Sequence, residues 1–137
     1  MRMSREELTQ LMVDSAQNAV VTTEEEFNLT LDNSEQSLAL LDDVILCWLG
    51  KYKDHPLEDN GVFTICNIYG AYVGEIFRKK IGGSWSYDDS DQDAPYFVLE
   101  YAGNTYAFAS ICYQRLVNDR QISIKNYFEQ AVASSIE

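Results

Sequence analysis

Histidine, proline and basic residues are scarce in this 137-residue chain, and each shortage excludes something. One histidine, His55, and three separated cysteines, Cys47, Cys66 and Cys112, make none of the C-x-x-C or H-x-x-x-H spacings of a zinc site, so no metal is expected. An odd number of cysteines in apolar stretches argues against a disulfide framework and for a reducing cytoplasm. Only two prolines occur, Pro56 and Pro95, both in polar, Asp-rich surroundings that read as loops. Ten Lys and Arg stand against 22 Asp and Glu, a formal charge of −12. Without a basic face the chain is not expected to bind nucleic acid or an anionic membrane surface. No apolar run approaches the ~20 residues that span a bilayer, and MRMSREELTQ lacks the apolar core of a secretory leader. Walker, dinucleotide and G-x-S-x-G signatures are missing too, so neither a cofactor nor an enzyme is expected.

What remains is ordinary globular material, 46% hydrophobic and 23% charged, of a length that suits one domain. Ser4 and Glu7 form a capping box, with Met3 and Leu8 at the staple positions. Leu8, Leu11, Met12, Ala16 and Ala19 then keep helical spacing, and the β-branched run after Val20 predicts the helix end. Alternation over Phe27–Leu31 predicts a short strand. Asp32, Asn33 and Ser34 are each able to cap a second helix with Leu38, Leu41, Ile45, Trp48 and Leu49 inward and Gly50 as its stop, followed by a polar loop. Residues 62–81 are apolar almost all round and predict a central buried helix, with Gly70 and Gly74 on one face. Each glycine costs ~1 kcal/mol there, most simply offset by a backbone packed close against the notch.

After Gly82-Gly83 the period changes. SWSY, YFVLEYAG and NTYAFA read as three short strands, the last two joined by a hairpin at Gly103-Asn104. Two helices follow: Ser110–Val117, broken at Asn118-Asp119, and one starting at Ser123 with Ile124, Tyr127, Phe128, Ala131 and Val132 on one face, stapled by Ile122 and Tyr127. The predicted fold is α+β, with helices packed against a small antiparallel sheet.

Few residues suggest chemistry. His55 sits in a polar loop with no nucleophile motif beside it, and Cys66 and Cys112 fall on buried faces, where thiols are inert. Counted as an EF-hand from Asp88, the acidic loop puts Asp93 where glycine is needed and Leu99 where glutamate is needed, so it fails as a calcium loop. Glu75, within the most apolar helix, has Arg78 and Lys79 at three and four residues, the spacing of an intrahelical ion pair; the alternative is a polar pocket of Glu75 and Arg78 beside the sheet. Arg78, Lys79 and Lys80 suit a helix C-terminus. Through Asp43 the chain holds −8 of its −12, and five acids with no base run from Asp88 to Glu100. Trp85, Tyr87, Tyr96 and Tyr101 border that stretch, and aromatics beside carboxylates suit a protein-binding face.

LDNSEQSLALLDDVI resembles an LD-x-S-x-x-SL-x-x-LD motif of small bacterial proteins. Tyr69-Gly70-Ala71-Tyr72-Val73-Gly74-Glu75, then Arg78, Gly82, Gly83 and Trp85, resembles the YGAY-x-GE-x-x-R-x-x-x-GG-x-W motif that follows it in them. A Tyr-rich strand, a Gly turn and a helix with Gln114-Arg115 before Asn118 are also similar. Over residues 29–128 the chain is thus similar to an uncharacterised bacterial domain family. The resemblance implies an α+β fold with Glu75, Arg78 and Trp85 at its heart, no catalytic residues, and by analogy with sporadic bacterial domains an immunity or accessory binding role.

The expected function is therefore non-enzymatic: a cytoplasmic immunity protein that neutralises a basic toxin such as a nuclease. Asp88, Asp89, Asp91 and Asp93 would steer the partner, and Trp85, Tyr87 and Tyr96 would anchor it. The alternative is a small-ligand or enzyme site centred on Glu75 and Arg78.

Overall fold

Ser4 caps the first helix as its spacing predicts: its Oγ accepts the Glu7 amide at 3.1 Å. The computed structural model describes residues 4–54, 59–88, 96–118 and 121–135, so Met3 of the expected staple lies outside it. Helix α1 (Arg5–Phe27) does not end at Val20. It runs on through the β-branched run and closes at Asn28, which adopts the left-handed conformation, and the expected strand Phe27–Leu31 does not form. β-Branched residues cost only tenths of a kcal/mol each in a helix. Here Thr23 is fully buried, and its Oγ1 lies 2.8 Å from the Tyr69 hydroxyl, so tertiary contact overrides propensity.

Helix α2 (Ser37–Asp54) begins after a turn in which Ser34 Oγ accepts the Ser37 amide at 3.2 Å and Asp32 Oδ1 accepts the Ser34 amide at 3.1 Å. The Ser34 hydroxyl and amide hold the Asp32 carboxyl below its ordinary value. Gly50 is not the stop. One residue beyond it, Lys51 pairs with Glu26 and lies over the Phe27 and Trp48 rings at 5.5 and 5.4 Å, contacts that carry the helix past the glycine.

Helix α3 (Asp59–Lys80) is the centre of the molecule, with Tyr69, Ala71, Tyr72, Val73 and Phe77 inaccessible to solvent. It packs against α1 and against α4 (Phe108–Tyr113). The three strands β1 (Ser84–Asp88), β2 (Tyr96–Tyr101) and β3 (Asn104–Tyr106) form an antiparallel sheet in the order β1-β2-β3. Tyr101 pairs with Asn104, so Ala102 and Gly103 make the hairpin tip, both with positive φ, one residue earlier than Gly103-Asn104. The third strand is short because Phe108 already opens α4, which passes into a π-helical turn at Gln114–Asn118. Helix α5 (Ile124–Ser135) buries Ile124, Phe128 and Ala131, as expected. The Phe77 ring gathers Tyr101, Tyr106, Phe108 and Phe128 with centroids 5.1–6.3 Å away, which ties sheet and helices into one core. Among the described residues no helix is long and apolar enough to cross a membrane.

Candidate functional site

The two glycines of α3 make room for different neighbours. A Cβ on Gly70 would meet the backbone of Ala109 in α4 at 2.6 Å, the close backbone expected. A Cβ on Gly74 would lie 2.1 Å from the indole of Trp85, so this notch admits a ring instead. Trp85 crosses from β1 over Gly74, and its Nε1 donates to Glu75 Oε2 at 2.8 Å. The same oxygen accepts Arg78 Nε at 2.7 Å, while Arg78 Nη2 reaches Oε1 at 3.4 Å. Glu75, Arg78 and Trp85 therefore meet, as the motif implies. Trp85 is 4% exposed, which corrects its place among surface anchors: its ring is a strut between helix and sheet. The exposed Lys79 is not needed for this pair, and Lys80 reaches Glu35 at 3.1 Å.

Glu75 thus has a structural task that Arg78 lacks. Replacing it with leucine is expected to orphan the buried indole N–H and cost about 1–3 kcal/mol. Arg78→Met, whose side chain is 29% exposed, should cost under about 1 kcal/mol. Glu75→Gln, which keeps an acceptor, should recover most of the loss. Urea melts of the three variants check this; a Gln variant as unstable as the Leu variant would mean that the charge matters and not the acceptor.

The tyrosines of the second motif are equally committed. Tyr69 accepts the Trp48 indole N–H at 2.8 Å besides meeting Thr23, and so joins α1, α2 and α3. Tyr72 accepts the Asn33 amide at 2.9 Å and lies 2.6 Å from Ser37 Oγ. Ser37 gives its single hydroxyl proton to the Ser34 carbonyl at 2.6 Å, so Tyr72 must be the donor to Ser37. Burial raises the pKa of both phenols above the ordinary value. Ser34 and Ser37 of the first motif and Tyr72 of the second are thus two halves of one hydrogen-bonded joint.

One charged cluster was not foreseen. Asp42 and Arg115, 8% and 7% exposed, lie between α2 and α5. Asp42 Oδ1 accepts the Ile124 amide at 2.7 Å, and Oδ2 accepts Ser123 Oγ at 2.9 Å and the Lys125 amide at 3.2 Å. Arg115 Nε lies 3.2 Å from Asp42 Oδ1 and donates to the Asp42 carbonyl at 3.0 Å, while Nη1 donates to the Ile122 carbonyl at 2.6 Å. Asp42 does for α5 from another helix what a local cap does, with Ser123 capping Asn126 beneath it at 3.2 Å.

The thiols of Cys66 and Cys112 are buried; burial pushes Cys66 up to about 12 and Cys112 well above its ordinary value, which leaves both unreactive. Among the described residues no three His, Cys, Asp or Glu side chains are grouped to hold a metal. A cleft of about 230 Å³ between Glu35, Gln36, Lys125, Phe128 and Glu129 is smaller than small-molecule sites, which run to roughly 300–1,000 Å³.

Of the expected binding residues, Tyr87 and Asp88 stand at the end of β1 and Tyr96 at the start of β2, with Asp88 paired to Tyr96 across the ladder. Asp89, Asp91 and Asp93 lie outside the described residues, as do His55, Pro56, Pro95 and Asp119.

The chain matches no protein-family model and no curated protein, which is consistent with the resemblance to an uncharacterised family. Among solved structures, a crystal structure from Bacteroides thetaiotaomicron is similar, with a TM-score of 0.60 at 18% identity, covering 98% of this chain and 46% of that one. That likeness shows a shared fold, and the chain spans about half the length of the protein it matches.

Proposed function

We propose that the protein is a non-enzymatic, acidic binding protein of the cytoplasm, an immunity protein that occupies the basic surface of a bacterial toxin such as a nuclease. The observation that carries this reading is the charge, −12 in 137 residues. Ser37 of the first sequence motif and Tyr69, Tyr72, Glu75 and Trp85 of the second are meanwhile engaged in holding helices and strand together. With those groups occupied inside, the surface carboxylates remain to meet a partner. Opposite charge raises association rates steeply and covers the phosphate-binding face a nuclease needs. In this reading Asp88, Asp89, Asp91 and Asp93 steer the partner, and Tyr87 and Tyr96, near the facing ends of β1 and β2 beside that connection, anchor it.

The test begins with a partner identified by co-purification from the native host and produced pure. Changing the four aspartates together to asparagine should leave melting unchanged, slow association and flatten its salt dependence, since exposed charges are screened over ~8–10 Å at physiological salt. Tyr96→Ala should instead speed dissociation. An unchanged rate and salt slope in the four-fold variant would remove this connection from the interface.

A further inference from the structure

We infer that the outward face of α1 is a docking surface for a basic amphipathic helix of a partner protein. This rests on the reading of the protein as a binder of basic partners and adds to the β1–β2 connection a second contact surface on one helix. The inner face of α1 is spent on the core, with Leu8, Met12, Ala16, Ala19 and Thr23 buried. On the opposite side, steps of three and four residues join Gln10, Val13, Gln17, Val21 and Glu24, all exposed. At 1.5 Å per residue this stripe is about 21 Å long, a straight seam of the kind that pairs with another helix. Among the described residues four large hydrophobic side chains are exposed, and three of them, Leu11, Val13 and Val21, belong to α1.

The charges flanking the seam say what covers it. Arg5 is the only base in α1, while Glu6, Glu7, Asp14, Glu24 and Glu25 are exposed and make no ion pair among the described residues. Glu6 and Glu7 suit a helix start. Glu24, Glu25 and Glu26 stand in the last turn, where the macrodipole is negative and carboxylates destabilise. Lys51 relieves Glu26 alone. Such a placement works against the helix and is what a site kept for an opposing cation looks like. A second copy of the chain would set carboxylates against carboxylates, so a basic helix with an apolar stripe is the complementary occupant.

The experiment titrates the full chain with a helical peptide of leucine on one face and lysine on the other, followed by amide NMR shifts and calorimetry. Shifts should concentrate between Gln10 and Glu25. Val13→Ser with Val21→Ser should weaken the peptide about tenfold, the loss expected from uncovering two small apolar side chains. Glu24→Gln with Glu25→Gln should raise Tm by about 2–4 °C while weakening the peptide and flattening its salt dependence, so that stability and affinity move in opposite directions. Peptide binding that all these variants leave unchanged would overturn the α1 assignment and leave the basic-partner reading standing. A wild-type chain that does not bind the peptide at all would also overturn the α1 assignment, while the basic-partner reading stands or falls with the kinetics of the four-aspartate variant.

Discussion

Gly70→Leu should lower the stability of the fold by about 3 kcal/mol or more, the upper end of what overpacking a core costs. The reason is what the new side chain meets. A Cβ at this position already comes within 2.6 Å of the Ala109 backbone, before any Leu branch is added. A backbone cannot rotate away as a side chain can, so α4 has to shift as a body and take Phe108 and Cys112, both buried, with it. Gly74→Ala is a useful comparison. Its Cβ strikes the Trp85 ring, and moving that ring breaks the indole bond to Glu75. Denaturant unfolding with tryptophan fluorescence separates the two, because only the Gly74 variant should alter the emission of the native state. A Gly70→Leu protein that melts with the wild type would mean that α3 and α4 are not in contact there.

Asp42→Ala should cost about 3–5 kcal/mol, the loss seen when one partner of a buried ion pair is removed. Arg115, 7% exposed, would face a hole where its carboxylate was, and the Ile124 and Lys125 amides at the start of α5 would lose their acceptor. Asp42→Asn keeps one acceptor oxygen and should lose less. Replacing Asp42 by leucine together with Arg115 by methionine should recover much of the loss, since the burial cost of the charges goes with them. The measurement is a double-mutant cycle by urea unfolding. If the double variant is no better than the sum of the singles, the two residues act independently and the network described here is not what holds α5.

Periodicity exposed the inner stripe of α1 but misplaced its end, because the contact that extends it, Thr23 with Tyr69, joins residues 46 apart in the chain. A local window sees β-branched residues and not the hydroxyl waiting for them. The notch of α3 was legible because two glycines in a buried helix carry a known cost. That one is filled by a backbone and the other by Trp85 was beyond the sequence, since it depends on where β1 crosses. Asp42 was hidden among ten acids in the first 43 residues. A signal was present all the same: Asp42 stands four residues after Leu38 and three before Ile45, inside the buried stripe, whereas its neighbour Asp43 points outward. Arg115 likewise follows Cys112 by three on a buried face. A charge at a core position of one helix, and an opposite charge at a core position of another, could have been matched.

The Asp42 network also sets a timetable for synthesis. Its partners arrive 73 and 82 residues later, near the end of the chain. The segments that cover Asp42 are the same ones that bring its guanidinium and its amide donors. Until Arg115 and the start of α5 have been made, the carboxylate on α2 faces water and costs nothing; burial and neutralisation then come in one step. The charge is therefore never buried without its partners, and the docking of α5 on α2 is tied to the arrival of Arg115.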